Sequence, residues 1–347
     1  MVRLCFAHGV LATVVACTPW LATAAAAQEA PPVAPVAAPP PFDTWLADLK
    51  AEAITRGIRP EIVEQALGDL PEPSPQILER DRTQAEFTLD LDAYLKRRLT
   101  RDTVRTARRM YTRHRTLLQK VGKQYGVHPR VIVSVWGLES NFGRFAGVRP
   151  TVPALATLAY DPRRSTLFRQ ELFHALEIVN RGDVELGRLK GSWAGALGQP
   201  QFLPSSYLKF AQDYDGDGRR DIWASQADVF ASVAYYLQQH GWTDGQRWGR
   251  EVRVPAQARE MVDALAMRTE GCRAERLMTT PLPLDEWRRI GVRTATGAAL
   301  PRGKQPASLV PAGKRYFLVY GNYEALLKYN CSHSYALSIG LLSERIQ

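Results

Sequence analysis

From Phe42 to about Gly126 the apolar side chains recur near every 3.6 positions, as in Trp45, Leu46, Leu49 and Ile54. That period predicts amphipathic helices, with Gly57 and Pro60 marking a stop and a restart. The run from Phe87 to Tyr125 repeats the pattern with dense Arg and Lys. His128-Pro129 opens a further helix after a break at Gly126, since proline is favoured in a first helical turn. Asn141 and Gly143 end it. Helical spacing returns from Leu167 to Arg188 and from Ala227 to His240. Between about Trp248 and Val319 the character changes to short β-capable runs, such as Val252-Arg253-Val254 and Tyr316 to Tyr320, separated by Pro and Gly. The expected class is mainly α (α+β). A helical subdomain occupies 42–126, a helical core 127–247 and a small β-containing insertion 248–319, after which 320–347 returns to the core. No internal repeat interrupts this order.

One position breaks the hydrophobic pattern. Glu139 lies within VIVSVWGLESNFG (Val131 to Gly143), in the last turn of the predicted helix. Burial there disfavours the ionised carboxylate, and so does a helix C-terminus, so both effects push Glu139 toward the range of a general acid. The plainer alternative is a Glu on the wet face of an amphipathic helix. Further along, GSWAGALGQPQFLPSSY (Gly191 to Tyr207) is dense in Gly, small polar side chains and aromatics, with too few long apolar residues for a plain core helix. Such a stretch suits a groove wall. Its amides and hydroxyls can bond sugar hydroxyls, while Trp and Tyr faces stack on pyranose rings.

The N-terminus changes the cellular picture. Arg3 precedes a mostly apolar run from Leu4 to Leu21 and Ala-rich residues to Ala27, which reads as a secretory signal over 1–27. Two processing routes stand open: cleavage after Ala25-Ala26-Ala27, or lipidation of Cys17 after Val14-Val15-Ala16, which would anchor the protein to the outer membrane. Residues 28–41, almost all Ala, Pro and Val, read as a disordered tether. Both routes predict a periplasmic protein.

The formal charge is +10, and loss of residues 1–27 removes Arg3 and no acid, leaving +9. This balance fits an anionic polymer or a membrane surface, and export argues against nucleic acid. The spread of basic residues, as in Lys96-Arg97-Arg98 and Arg105 to Arg115, equally fits a solvated helix face. Cys272 and Cys331 are the two cysteines outside the leader, and an even pair in an exported protein is most simply a disulfide. With no Cys/His cluster at ligand spacing they offer no zinc site.

A second motif is DYDGDGRRDIW, Asp213 to Trp223. Asp213, Asp215, Asp217 and Asp221 occupy positions 1, 3, 5 and 9 of an EF-hand loop, with Gly218 at 6, Arg219 at 7 and Ile222 in the apolar position beyond. The loop departs from the pattern at position 12. Ala224 stands where a bidentate Glu is expected, and Asp228 is the nearby carboxylate that could replace it. A polar turn held by Asx hydrogen bonds is the alternative.

ESNFG (Glu139 to Gly143), GALGQPQFLPSSY (Gly195 to Tyr207), DYDGDGRRDIW and YNCSHSYA (Tyr329 to Ala336) together resemble the lytic murein transglycosylase B family, from about Phe42 to the C-terminus. Four separated motifs in one order make the resemblance specific. It implies a lysozyme-like helical core and cleavage of the β-1,4 bond between N-acetylmuramic acid and N-acetylglucosamine in peptidoglycan glycan strands. The substrate's 2-acetamido group would assist, and a 1,6-anhydro product would form. Glu139 would be the single acid and base; Ser192, Gln201 and Tyr236 would orient the sugars, and Tyr329 and Tyr335 would line the cleft. Asn141 and Phe142 would be structural. The resemblance also implies a variant calcium loop at Asp213 to Asp228, no required cofactor, and other cell-wall enzymes as partners. A hydrolytic muramidase and a non-catalytic peptidoglycan-binding scaffold remain the alternatives.

Overall fold

The computed structural model describes residues 39–82 and 90–346. The expected leader, the lipidation site at Cys17 and the tether up to residue 38 lie outside the described residues. Among the described residues, no helix is long and apolar enough to cross a membrane.

The chain runs through α1 (Phe42–Thr55), α2 (Pro60–Leu67), α3 (Pro75–Arg82), α4 (Leu91–Arg98), α5 (Arg101–Arg113), α6 (Arg115–Tyr125) and α7 (Pro129–Ser140). A short strand β1 (Arg149–Pro150) precedes α8 (Thr151–Tyr160) and α9 (Ser165–Asn180) and pairs with β2 (Lys190–Gly191); α10 (Pro204–Phe210) and α11 (Gln226–Gln239) follow. Next come β3 (Gly249–Arg253), α12 (Ala256–Asp263), β4 (Leu282–Pro283), α13 (Leu284–Ile290), β5 (Arg293–Thr294), β6 (Pro306–Ala312) and β7 (Arg315–Val319). The chain closes with α14 (Gly321–Tyr329) and α15 (His333–Arg345).

Helix α7 is the axle of the helical part. Its apolar residues point in all directions, and Val131, Ile132, Val133, Val135, Trp136 and Leu138 are all buried, as a helix hydrophobic all round requires. It packs against α5, α6, α11 and α15. Pro129 starts it at the first helical position, and His128 Nδ1 accepts the Arg130 amide at 3.1 Å. Its end is forced rather than frayed. Ser140 Oγ donates to the Trp136 carbonyl and accepts the Gly143 amide, while Asn141, Phe142 and Gly143 all turn left-handed, with φ of 50, 58 and 80°. Phe142 folds back edge-on to Trp136, over Gly137, where a Cβ would lie 2.5 Å from the ring.

Gln199 locks this turn to the neighbouring loop. It is buried, accepts from Trp136 Nε1 at 2.6 Å and donates from Nε2 to the Trp223 carbonyl at 2.7 Å. A Cβ on Gly143 would sit 2.5 Å from its amide oxygen, so that glycine makes room for the bridge.

The helix expected to run from Leu167 to Arg188 stops at Asn180, and Leu186–Arg188 is a separate 3-10 turn. Gly182 turns left-handed at φ 79° and its amide donates to the Val179 carbonyl at 3.0 Å, a glycine stop, while the side chain of Asn180, the last helical residue, reaches the α1–α2 junction. Its Oδ1 accepts from the Arg59 amide at 3.0 Å, and its Nδ2 donates to the Gly57 carbonyl at 3.2 Å. The glycine stops the helix, and the tertiary contact holds its last residue.

The sheet is antiparallel throughout, in the order β4-β6-β7-β3-β5. Its strands fall one or more residues from the expected runs, and α12 and α13 lie among them unannounced by the β pattern. The register explains why it faces two cores. Leu309 pairs with Leu318, and both belong to a small core with Trp287, Ile290 and Val292; the next pair, Val310 with Phe317, belongs to the large helical core. Alternation of period two lets one hairpin bind the insertion to the main body.

Cys272 and Cys331 form a disulfide across 59 residues, with Cα atoms 6.2 Å apart. It clamps the α14–α15 junction. Glu275 accepts the Cys272 amide at 2.7 Å and the Lys328 ammonium at 3.0 Å, which with the charge of Arg268 holds its carboxyl below its ordinary range against the opposing effect of burial.

Two outcomes follow from this bracing. Replacing Gln199 by Leu leaves the indole N–H of Trp136 buried without an acceptor and should cost about 1–3 kcal/mol in urea unfolding. Replacing both Cys272 and Cys331 by Ser should lower the unfolding free energy by up to about 4 kcal/mol, as loop closure predicts for a link of this span; denaturation of the wild type with and without reductant gives the same comparison.

Candidate active site

Glu139 is not in open solvent. Its side chain is half-buried at the end of α7, and Tyr335 of α15 donates a hydrogen bond from its hydroxyl to Glu139 Oε1 at 2.6 Å. Arg98 of α4 donates to the carbonyl of Leu138, one residue before, satisfying an acceptor that the last helical turn leaves unpaired. The Arg98 guanidinium also lies 6.0 Å from the ring centre of Tyr94. Helices α4 and α15, distant in sequence, therefore meet at the last turn of α7.

An aromatic wall surrounds it. Tyr329 and Tyr335 stack at 6.2 Å, Tyr236 lies 4.6 Å from Tyr329, and Phe202 lies 5.5 Å from Tyr236. Burial pushes the phenols of Tyr329 and Tyr335 well above their ordinary value, and the charge of Glu139 pushes in the same direction. Tyr236 is pushed up to about 12 by burial first and by Glu139 second. These hydroxyls stay protonated at neutral pH and act as donors. Tyr236 donates to the Lys328 carbonyl at 2.7 Å and Tyr329 to the Pro200 carbonyl at 2.7 Å. Each of the three hydroxyls is therefore taken up by an acceptor within the protein.

Gln201 follows Pro200 on the same loop, with its backbone left-handed at φ 53° and its Nε2 donating to the Gly198 carbonyl at 2.8 Å. Through the Tyr329–Pro200 bond the structure brings Gln201, Tyr329, Tyr335, Tyr236 and Glu139 into one neighbourhood. Ser192 sits on the loop after β2. Its Oγ accepts from the Ala196 amide at 3.1 Å and the Ala194 amide at 3.3 Å, closing a turn and leaving its own hydrogen to donate outward.

The loop from Asp213 to Asp228 is only partly assembled as a cation cage. Asp213, Asp215 and Asp217, all exposed, bring one oxygen each within 4.8 Å of one another. Asp221 and Asp228 are outside this group. Asp221 Oδ1 accepts the Trp223 and Ala224 amides, and the two oxygens of buried Asp228 accept the amides of Tyr214 and Asp221, each at 2.8 Å. Burial raises the carboxyl of Asp228 while those amides oppose the shift. The expected place of Asp228 as replacement ligand is thus taken by a backbone brace. Arg219 presents its amide to Asp217 Oδ1 at 2.9 Å. Three hard carboxylate ligands fit a cation such as calcium in kind, though not yet in number.

A recess of about 880 Å³ opens between this loop and Arg181, Arg188 and Lys190. It contains neither Glu139 nor the tyrosines, and its mixed charges offer no acid held against aromatic walls. The chemistry points to the tyrosine cluster instead.

Sequence reasoning passed over Gln199, Arg98 and Tyr94. A Gln inside the Gly-rich GALGQPQ stretch was the one available signal for the first; nothing local marks the other two.

Residues 41–344 match the Transglycosylase SLT domain family. The chain is 31% identical over 263 residues to the membrane-bound lytic murein transglycosylase B of Escherichia coli (strain K12), an alignment that covers 73% of this chain and 66% of that relative, just under two thirds of its length. Among solved structures it is similar to SltB3 from Pseudomonas aeruginosa in complex with NAG-anhNAM-pentapeptide, at 38% identity and a TM-score of 0.77, over 87% of this chain and 78% of that one. It also shares the fold of the Escherichia coli lytic transglycosylase Slt35 solved with calcium, at 24% identity and a TM-score of 0.71, over 87% and 92% of the two chains. With nearly the whole described chain matched, this protein belongs to the Transglycosylase SLT domain family.

Proposed function

We propose that the protein is a lytic transglycosylase of peptidoglycan and that Glu139 carries its acid and base chemistry. The observation that bears this reading is the half-buried Glu139 carboxyl, hydrogen-bonded by Tyr335 and walled by Tyr236 and Tyr329. Protonated Glu139 gives its proton to the glycosidic oxygen, and the bond from C1 of N-acetylmuramic acid to that oxygen breaks. The 2-acetamido oxygen of the same sugar stabilises the positive charge at C1. Glu139, now a carboxylate, takes the proton of the C6 hydroxyl as that oxygen attacks C1, and the 1,6-anhydro ring closes with no water consumed.

A single carboxylate suffices for this sequence, whereas ordinary glycosidases use two. The acids of the nearest other motif support the one-carboxylate reading, because Asp213, Asp217, Asp221 and Asp228 accept amides of their own loop. Ser192 and Gln201 orient the sugars, and the tyrosine rings give pyranose faces a surface while keeping water out. The relatives' complex with a NAG-anhNAM-pentapeptide supports a glycan bearing peptide substituents as the substrate class. A periplasmic location follows from the leader-like N-terminus.

Asp213, Asp215 and Asp217 would hold a calcium ion, with the Arg219 carbonyl as a further oxygen. Its part would be structural, neutralising three like charges in one exposed loop.

Replacing Glu139 by Gln should reduce release of muropeptides from sacculi by about 10²–10⁴-fold while sacculus binding persists. Mass spectrometry of the wild-type digest should show terminal sugars lighter by one water than hydrolysis would leave. Reducing-end products would make the enzyme a muramidase, and retained turnover in the variant would remove Glu139 from the reaction. For the loop, millimolar calcium should raise the melting temperature of the wild type and leave the Asp213→Asn, Asp215→Asn double variant unmoved; equal shifts in both would sink the cation site.

A further inference from the structure

Helix α5 carries arginines on two faces, and they behave differently. On one face Arg105 pairs with Asp102, and Arg108 Nε donates to the Arg345 carbonyl at 2.8 Å. On the other, Thr106, Arg109, Met110 and Arg113 follow the spacing of a single helical stripe and line a recess of about 420 Å³ with Phe142 and Arg144. All three guanidinium residues of the recess are exposed, and no acid is among its lining residues. Among the described residues none of the three lies within 4.0 Å of a carboxylate.

Like charges one turn apart repel, and a third aimed at them from the facing loop adds to the cost. An arrangement of that kind gains when an anion enters. The guanidinium fork matches carboxylate and phosphate geometry through paired N–H donors, and the floor of Phe142 and Met110 supports the hydrocarbon stems. The recess also shares a structural part with the active site. Phe142 is the left-handed residue that ends α7, three positions beyond Glu139.

We propose that Arg109, Arg113 and Arg144 form a subsite for carboxylates of the peptide substituent carried by the glycan. This rests on the transglycosylase reading above and adds the element that distinguishes a substituted strand from a bare one. A substituent of several residues, at roughly 3.3 Å per extended residue, is long enough to leave a sugar at Glu139 and enter a recess built on the same turn.

The test compares two substrates, glycan strands with peptides intact and strands stripped by an amidase, and two proteins, wild type and the Arg109→Gln, Arg113→Gln, Arg144→Gln variant. Wild type should show a KM about tenfold lower on the substituted strands, the size of one charge-assisted contact. The variant should lose that preference, its KM rising on substituted strands alone, with kcat unchanged on both. An equal rise on both substrates, or a preference that survives the substitutions, overturns the subsite. So does a variant that keeps the preference but no longer sediments with phosphatidylglycerol vesicles, an outcome that assigns the recess to a lipid phosphate. Absence of anhydro product from either substrate in the wild type overturns the reaction itself and the subsite with it. Should the triple variant fail to fold, Arg144→Gln alone is read in the same assay.

Discussion

The hydrogen bond from Tyr335 to Glu139 joins residues 196 positions apart, and the chain between them is arranged so that it can form. Glu139 is fixed by the end of α7 and Tyr335 by the second residue pair of α15, and no local rule brings those two positions together. Burial keeps the phenol protonated, so it donates and the carboxyl oxygen accepts. The contact therefore specifies both the position and the orientation of the acid. A carboxyl on a side chain with three rotatable bonds would otherwise be spread over several rotamers.

Seating α15 depends on what precedes it. The β insertion between α11 and α14 returns the chain to the helical core because alternate residues of β6 and β7 serve two cores, with Val310 and Phe317 reaching the main one. The disulfide then clamps the segment between Tyr329 and Tyr335. Next to it His333 is half-buried, its imidazole pushed down to about 4 by desolvation, so that it remains neutral beside the Tyr323 hydroxyl at 2.9 Å. Among the described residues no carboxylate lies within 4.0 Å of its ring nitrogens, so a charge there would have no counter-ion.

The parts legible in the sequence are those governed by local rules. Pro129 at a first turn, the break at Asn141 and Gly143, the restart at Pro60 and the cysteine pair each follow from backbone preference or composition, and the structure has them where those rules put them. What escaped is set by long-range contact. Asn180, the last residue of α9, binds Gly57 and Arg59 through its side chain, a contact no window around it reveals, although the helix itself stops at a local signal, the left-handed Gly182. Gln199 reads as one more polar residue in a Gly-rich stretch until Trp136 and Trp223 are seen on either side of it. Asp228 could be judged a ligand from spacing alone, yet its two oxygens hold the amides of Tyr214 and Asp221.

The backbone carries its strain in the same places. Asn141, Phe142 and Gln201 are the non-glycine residues with positive φ among the described residues, and each costs of order 1 kcal/mol or more in that region. Such conformations persist only where the surroundings over-determine them. Here Ser140, Gly137 and Gln199 hold the first two, and the Gly198 carbonyl holds the third. All three border the Glu139 site from opposite sides, one pair ending the helix that bears the acid and the other residue turning the loop that meets Tyr329. A relaxed α7 would continue its spiral past Ser140 and lose the edge-on packing of Phe142 against Trp136. The left-handed turn diverts it at once, so Glu139 stands in the last turn of a buried helix with its side chain half-buried and its Oε1 held by Tyr335.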